Sequence, residues 1–400
     1  MSRILLAWEL GGSYGHISVL LPIARQLRQC GHTVVFAVKD CPASKLLDAD
    51  GFEYVLSPRS AVGNSRSREP ASFAYILAGA GFGDVAVLAG LVGSWHDLFN
   101  LYQPTVLVAQ FAPVAQFAAR LFGLPCLQIN TGFESPPAVT PFPCFRPYLK
   151  LSKQQLLANE LALLENINII GSRMGAAPYS SLQEVMQSDR DLLVTLPELD
   201  HYQGRRNNRY IGPISLVDDG VTVQWPKGEG PRILVYLRAI SGIASILETL
   251  IGKRACAIAV IPEIDDHLFA KFRDKGLYLS KEMVKLSVIL PTMDLAITHA
   301  GHGTAAAAIL AGVPMLVIPT TVEQWLVTRN IERLGVGVGI VKRRIADEFP
   351  QALERLLGDH SYTEKAQKLA KKYGGFDRHQ TIQRLVKTIE GLPQWVAAKK

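Results

Sequence analysis

The chain is short of cysteine pairs: Cys30, Cys41, Cys126, Cys144 and Cys256 are odd in number, widely spaced and without a C-x-x-C motif. That excludes a disulfide framework and a zinc site, and it suits a reducing compartment. Long apolar runs are missing too. The longest, 73–92, is interrupted by Asp84 and by Gly79, Gly81, Gly83 and Gly90, so a pair of helices lining a cleft is expected there in place of a bilayer helix. The run 4–8 stops at Glu9, too short for the apolar centre of a signal peptide. There is no Walker A lysine loop and no G-x-S-x-G elbow. Nor do Gly11, Gly12 and Gly15, or the glycines of 335–339, have the G-x-G-x-x-G spacing of a dinucleotide fingerprint. The formal charge of +7 comes from scattered basic residues without an aromatic-interleaved stripe. This argues against nucleic acid and leaves anionic ligands or an anionic membrane surface as partners.

What is present is apolar bulk in a regular rhythm. With 400 residues, 48% hydrophobic and 19% charged, the chain can bury two cores. Strand-like runs at 4–7, 33–38, 54–56, 105–108, 126–130, 168–171 and 192–196 alternate with helical ones, a βαβ pattern. The stretch 213–231, with Asp218, Asp219, Gly220, Pro226, Gly228 and Gly230, has linker composition. Strands resume at 232–237, 257–261, 276–279, 295–298 and 315–318, and helices follow at 349–357, 362–373 and 381–390. The expected organisation is a first α/β domain at 1–213, a linker at 214–231, a second α/β domain at 232–375 and a helical tail at 376–400 that returns to the first domain. Each domain is read as Rossmann-like, with a doubly wound parallel sheet.

The most informative segment is 298–324. An apolar strand ends at Thr298, and the alanine-rich run 304–311 is a strong helix former, so Gly301 to Thr304 make the turn into a helix N-terminus. Unpaired N–H groups gather there, Gly301 and Gly303 let the backbone approach an anion, and the helix dipole favours negative charge. His299 either donates to a phosphate oxygen or is a satisfied structural histidine; Thr304 either caps the helix or binds the anion. Gly312 stands where a left-handed cap is needed, and Glu323-Gln324 open another helix after the next strand. Arg238, after the strand 232–237, reads equally as a cation for a diphosphate or as a solvated loop residue. His299 and His302 lack a third ligand, and Glu263, Asp265, Asp266 and His267 read as a solvated acidic turn, so no metal is assigned.

In the first domain Gly11, Gly12 and Gly15 make a tight loop between a strand and a helix that begins near His16. At a helix N-terminus the neutral imidazole is favoured and can accept a proton. A second phosphate loop or a purely structural turn are the alternatives.

These two constellations, in this order and spacing, resemble the bacterial and plant UDP-glycosyltransferase-like enzymes of the GT-B fold. The resemblance spans nearly all of the chain. It rests on Gly15-His16 with Pro22 and 24–27, and on His299, Gly301, Gly303, Thr304, Gly312, Val313, Pro314, Glu323 and Gln324. It implies two Rossmann-like domains facing a cleft, His16 as the base that deprotonates an acceptor hydroxyl, His299, Gly303 and Thr304 on a diphosphate, and Glu323 and Gln324 on the donor sugar. It implies no metal or other cofactor. Three positions depart from the family pattern. Gln110 stands where a carboxylate orients the base, with Glu9 the alternative partner. Ala307 replaces a ribose-binding glutamate, and Met283 or Val284 falls where an aromatic stacks on the nucleobase.

The function implied is inverting transfer of a sugar from a nucleotide diphosphate, uridine first and thymidine or guanosine open, to a small or lipid-like acceptor. The apolar segments 73–99 and 130–147 are candidate acceptor walls. A cytoplasmic enzyme is expected, with peripheral contact to the inner membrane face as an option. The alternatives are a glycolipid transferase, a nucleotide-sugar epimerase, or a non-catalytic nucleotide-binding partner of another transferase, the last permitted by Gln110 and Ala307.

Overall fold

A computed structural model describes residues 1–12, 14–39, 44–59, 69–202, 205, 209–215 and 218–399. Ser13 of the glycine loop, Cys41, and Ala43 at the expected start of the second helix lie outside them. The chain divides into two units, Met1–Thr195 with Tyr202–Ile214 and Asp377–Lys400, and Leu196–His201 with Ser215–Phe376.

In the first unit the strands are β1 (Arg3–Ala7), β2 (Thr33–Val38), β3 (Glu53–Leu56), β4 (Val106–Ala109), β5 (Cys126–Asn130) and β6 (Arg190–Leu193). The helices between them are α1 (Gly15–Gln29), α2 (Ser44–Asp50), α3 (Phe73–Leu77), α4 (Val85–Tyr102), α5 (Pro113–Leu121), α6 (Lys153–Arg173) and α7 (Leu182–Val185). All pairings are parallel, in the order β3-β2-β1-β4-β5-β6. The central strands are buried almost throughout, as a parallel sheet covered on both faces requires.

The second unit repeats the design with β7 (Arg232–Tyr236), β8 (Cys256–Val260), β9 (Tyr278–Ser280), β10 (Leu295–Thr298), β11 (Met315–Val317) and β12 (Gly337–Gly339). Its helices are α8 (Ile243–Gly252), α9 (Asp266–Phe272), α10 (Leu286–Ile289), α11 (His302–Ala311), α12 (Val322–Leu334), α13 (Ile345–Gly358) and α14 (Ser361–Lys372). The order β12-β11-β10-β7-β8-β9 is the same doubly wound topology. In each unit the winding direction reverses between two neighbouring strands, β1 and β4 in one, β7 and β10 in the other. Open α/β sheets bind ligands beyond the carboxyl ends of such a pair.

The last helix, α15 (Arg378–Ala397), packs against α1, β4 and β5. His32 bonds Glu390 at 2.8 Å, and the Arg190 guanidinium lies 4.0 Å above the Trp395 ring.

Three sequence expectations are corrected. Residues 168–171 are not a strand but the last turns of α6. A Ser152–Gln155 capping box starts that helix, and Ile167 and Ile170, one turn apart, are buried on one face. A four-residue apolar run does not by itself distinguish a strand from a buried helical turn. The glycine run 335–339, read only as a failed fingerprint, contains edge strand β12. A Cβ on Gly337 would stand 2.3 Å from the Met315 carbonyl oxygen, so glycine is needed for β12 to approach β11. The boundary at 213 is crossed, because Leu196–His201 groups with the second unit. Leu196 and Leu199 enter its core, Glu198 bonds Lys372 and Tyr373, and the Asp200 carbonyl accepts from Asn330 at 2.8 Å.

Among the described residues no single helix is long and apolar enough to cross a membrane. The apolar pair Phe73–Phe82 and Val85–Tyr102 is bent by 75°.

Gly337→Ala is expected to lower stability by roughly 1–3 kcal/mol through overpacking. Gly358→Ala, at a helix end with nothing within 4 Å of the added carbon, leaves stability unchanged or slightly raised. Guanidinium unfolding of the two variants checks the contrast.

Candidate active site

In the first unit the doubly wound order places the residues after β1 beside those after β4. His16, in the first turn of α1, and Gln110, just beyond β4, are 94 positions apart. Yet His16 Nδ1 lies 2.6 Å from Gln110 Oε1. An amide oxygen only accepts, so Nδ1 carries the proton and Nε2 keeps its lone pair. The ring stacks on Trp8 at 5.1 Å and meets Phe111 at 5.9 Å. Burial holds the imidazole neutral, taking its pKa down to about 4 against the upward pull of the Gln110 bond, with Lys39 adding to the fall.

The loop over the ring is anchored at several points. Trp8 Nε1 donates to the Leu10 carbonyl, Glu9 and Leu10 N–H groups donate to the Phe111 carbonyl, and the Lys39 ammonium holds the Gly11 carbonyl. Gly11 has φ +81°, and a Cβ there would stand 2.2 Å from His16 Nε2. Glycine is therefore required twice, by the left-handed backbone and by the imidazole. Phe111 is itself left-handed, φ +48°, and its N–H is held by Asn130 Oδ1 at 3.0 Å. Trp8, Lys39, Phe111 and Asn130 carry no motif. Their part in the site comes from contacts across the sheet.

Glu9 does not orient the base. Its two oxygens accept from Val114 N–H at 2.9 Å and Ala115 N–H at 2.8 Å. Helix α5 opens with Ala112 and Pro113, which offer no capping side chain, and Glu9 fills that need from another strand end. Burial raises its pKa to about 7, against the pull of the two amide donors.

In the second unit the residues after β7 and β10 meet in the same way. His299 donates from Nδ1 to the Ile318 carbonyl at 2.9 Å and accepts the Arg238 N–H on Nε2 at 2.6 Å. Both ring nitrogens are thus engaged with the backbone, and burial lowers the pKa. The expectation of a phosphate donor is corrected: His299 is a strut tying the ends of β7, β10 and β11. Ala300 beside it has φ +60°.

Gly301 is the N-cap of α11 and supplies no side chain. The first helical bond runs from Ala305 N–H to the Gly301 carbonyl, so the amides of Gly303 and Thr304 precede the ladder. These are groups that an anion can take. A Cβ on Gly303 would come within 3.0 Å of Ser215 Oγ, whereas Gly301 has open space. Thr304 is the third helical residue, so the capping option for it falls away.

Thr321 caps α12, and Gln324 Oε1 accepts from both the N–H and the hydroxyl of Thr320 at 2.8 Å. For a sugar hydroxyl Gln324 therefore offers its NH2. Glu323 Oε1 is 4.0 Å from Nε2 of His201. The His201 ring lies 6.3 Å from that of His302. His302 is itself buried and pushed down to about 4. The motif reading set His302 aside, and nothing in it pointed to His201.

The Arg238 guanidinium pairs with Glu263 at 3.1 Å, with both side chains about half exposed. Val284 is 2% exposed and belongs to the core, so it is removed as a nucleobase platform. Met283 beside it is half-buried, with its carbonyl on Val221 N–H. Among the described residues no group of three metal-ligating side chains comes together. Asp265 caps α9 and Asp266 pairs with Lys281.

Two doubly wound parallel sheets, each with its ligand-facing loops at the reversal of strand order, define the GT-B class. Residues 276–378 match the erythromycin biosynthesis protein CIII-like C-terminal domain. The chain is 22% identical over 391 residues to the NDP-glycosyltransferase YjiC of Bacillus subtilis, covering 92% of this chain and 93% of that one. The solved calicheamicin glycosyltransferase CalG4 superposes with a TM-score of 0.73 at 16% identity, covering 98% of both chains. Spinosyn rhamnosyltransferase SpnG, solved with thymidine diphosphate, gives 0.69 at 17% identity, over 96% of this chain and 100% of that one. The fold is GT-B, and the chain is a homologue of glycosyltransferases.

A carboxyl whose folded-state pKa is raised contributes stability that is complete below its ordinary 4.5 and is lost as pH rises through about 7. Glu9→Gln should flatten the pH dependence of unfolding across that window, whatever it does to the absolute level. Urea unfolding at a series of pH values measures the slope, and an unchanged slope would count against a buried, raised Glu9. Gly11→Ala should shift the His16 ring resonances while leaving those of His201 and His302 in place, which long-range proton–nitrogen NMR reads directly.

Proposed function

We propose that the protein is an inverting glycosyltransferase that moves a sugar from a nucleoside diphosphate to the hydroxyl of a small, apolar acceptor. The observation that carries this reading is the His16 geometry: a buried neutral imidazole with Nδ1–H fixed by Gln110 and a lone pair left on Nε2. That is the form a general base takes before reaction. His16 takes the acceptor proton as the acceptor oxygen bonds to the anomeric carbon. The bond from that carbon to the diphosphate breaks, and its electron pair leaves with the nucleotide.

In the second unit the uncapped start of α11, at Gly303 and Thr304, receives the negative charge of the leaving diphosphate. His299 keeps the strand ends in place around it, Arg238 is the nearby cation, and Glu323 and Gln324 serve the sugar. The scheme uses no metal. A uridine or thymidine base is proposed; the likeness to SpnG, solved with thymidine diphosphate, supports thymidine. The structural relatives named for calicheamicin and spinosyn make a natural-product acceptor the working choice.

A second reading, a nucleotide-binding partner without turnover, is favoured by one observation: Gln110 is an amide where a carboxylate would balance an imidazolium.

Release of nucleoside diphosphate from a panel of uridine and thymidine diphosphate sugars, with mixed acceptors, separates the two. Catalysis is expected, with His16→Ala slower by about 100-fold or more and donor binding unchanged. Tight donor binding without His16-dependent turnover would establish the auxiliary role instead.

A further inference from the structure

We propose that the attacking oxygen of the acceptor is acidic, a phenol or enol and not an aliphatic alcohol, because His16 is oriented by an amide and, among the described residues, no carboxylate is placed to balance the charge it would acquire. This rests on the transferase reading above. A base that takes a proton becomes an imidazolium, and what faces it decides how far it can pull. Gln110 presents the oxygen end of a dipole at 2.6 Å, which sets the tautomer but supplies no negative charge. Glu9, the acid nearest to it along the loop, has both oxygens committed to the α5 amides.

The groups packed around the ring are Trp8 after β1, Gly11 of the loop, Gln110 and Phe111 after β4, and Lys39 after β2. Among the described residues Lys39 is the charged member. It disfavours the imidazolium and by the same sign favours an oxyanion in its place. Stacking on Trp8 offsets part of the missing charge, since a cation over an indole is attracted only modestly.

A phenol ionises near about 10, whereas an unactivated hydroxyl such as that of water does so near about 15.7. The proton His16 must move is therefore easier to remove from a phenol by about five to six decades in equilibrium. At neutral pH only about one phenol in a thousand is already ionised, so His16 still takes the proton, but from a far more acidic donor.

The core behind His16 is aromatic and buried, its phenylalanines no more than 6% exposed, so it backs the site with an apolar wall. From His16 the rings run through Phe111 to Phe73 and Phe133, each 6.5 Å from Phe111, and on to Phe142 and Phe145.

The test compares 4-methylphenol with benzyl alcohol, similar in size and apolarity, using a thymidine or uridine diphosphate sugar. The intact protein should favour the phenol by about 100-fold or more in kcat/KM. Its rate should follow the acceptor's own ionisation, with the inflection moving to lower pH for 4-nitrophenol. Gln110→Glu, which sets a carboxylate at the same reach, should narrow the gap about tenfold by gaining on the alcohol. A mere structural role for Gln110 would leave that ratio alone. Benzyl alcohol used within about threefold of the phenol by the wild-type protein would overturn the inference while leaving the transferase reading intact. An unchanged ratio in Gln110→Glu, folded by circular dichroism, would overturn it as well. No transfer to either acceptor, with thymidine diphosphate bound, would overturn both.

Discussion

The 2.6 Å contact between His16 and Gln110 depends on a constraint that governs the whole chain. In a parallel sheet buried on both faces, polar groups can work only where strands end. The doubly wound order then brings the ends of β1 and β4 together, although 94 residues of sequence separate the two side chains. The second unit repeats the solution with β7 and β10, where His299 joins the ends of three strands through both of its ring nitrogens. One imidazole keeps a nitrogen for chemistry; the other gives both to the fold. What separates their roles is the partner each nitrogen finds, not the residue type.

Helix N-termini show the same division. The helices that follow β1, β7 and β10 start without a side-chain cap and without an acid in the first turn. At α5, which follows β4, the first amides are satisfied by Glu9, and side chains cap α12 (Thr321), α9 (Asp265) and α15 (Asp377), whereas α3, α10, α13 and α14 are also without a side-chain cap. A cap costs the helix little and contributes about 1 kcal/mol. The starts of α1, α8 and α11 forgo a stabilisation that α5 and α12 take, and they leave their first donors and dipole available. Glycine serves this arrangement at two points. Gly11 leaves room for the imidazole, and Gly303 leaves room for Ser215.

Much of the architecture was legible because burial imposes its own pattern. Apolar runs of four or five residues, spaced by amphipathic helices, marked every strand from β7 to β11 within two residues, and the turn at Gly301 to Thr304 could be placed from its glycines and the alanine run. Where the pattern is short it is ambiguous. Residues 168–171 have the composition of a strand, yet they extend a helix whose start lies at Ser152. β12 is three residues long and two of them are glycines, so no β-propensity marks it.

Sequence alone determined two α/β units, the positions of a glycine loop and a glycine-rich helix start, and a histidine at each, since these follow from local periodicity and from backbone conformations that few residues can adopt. Tertiary structure decided which histidine retains a lone pair, that Glu9 caps α5 and leaves His16 to Gln110, that Val284 belongs to the core, and that Leu196–His201 joins the second unit. Each of these turns on a partner tens to hundreds of residues away. Hydrogen-bond satisfaction is settled only when those strand ends are brought side by side.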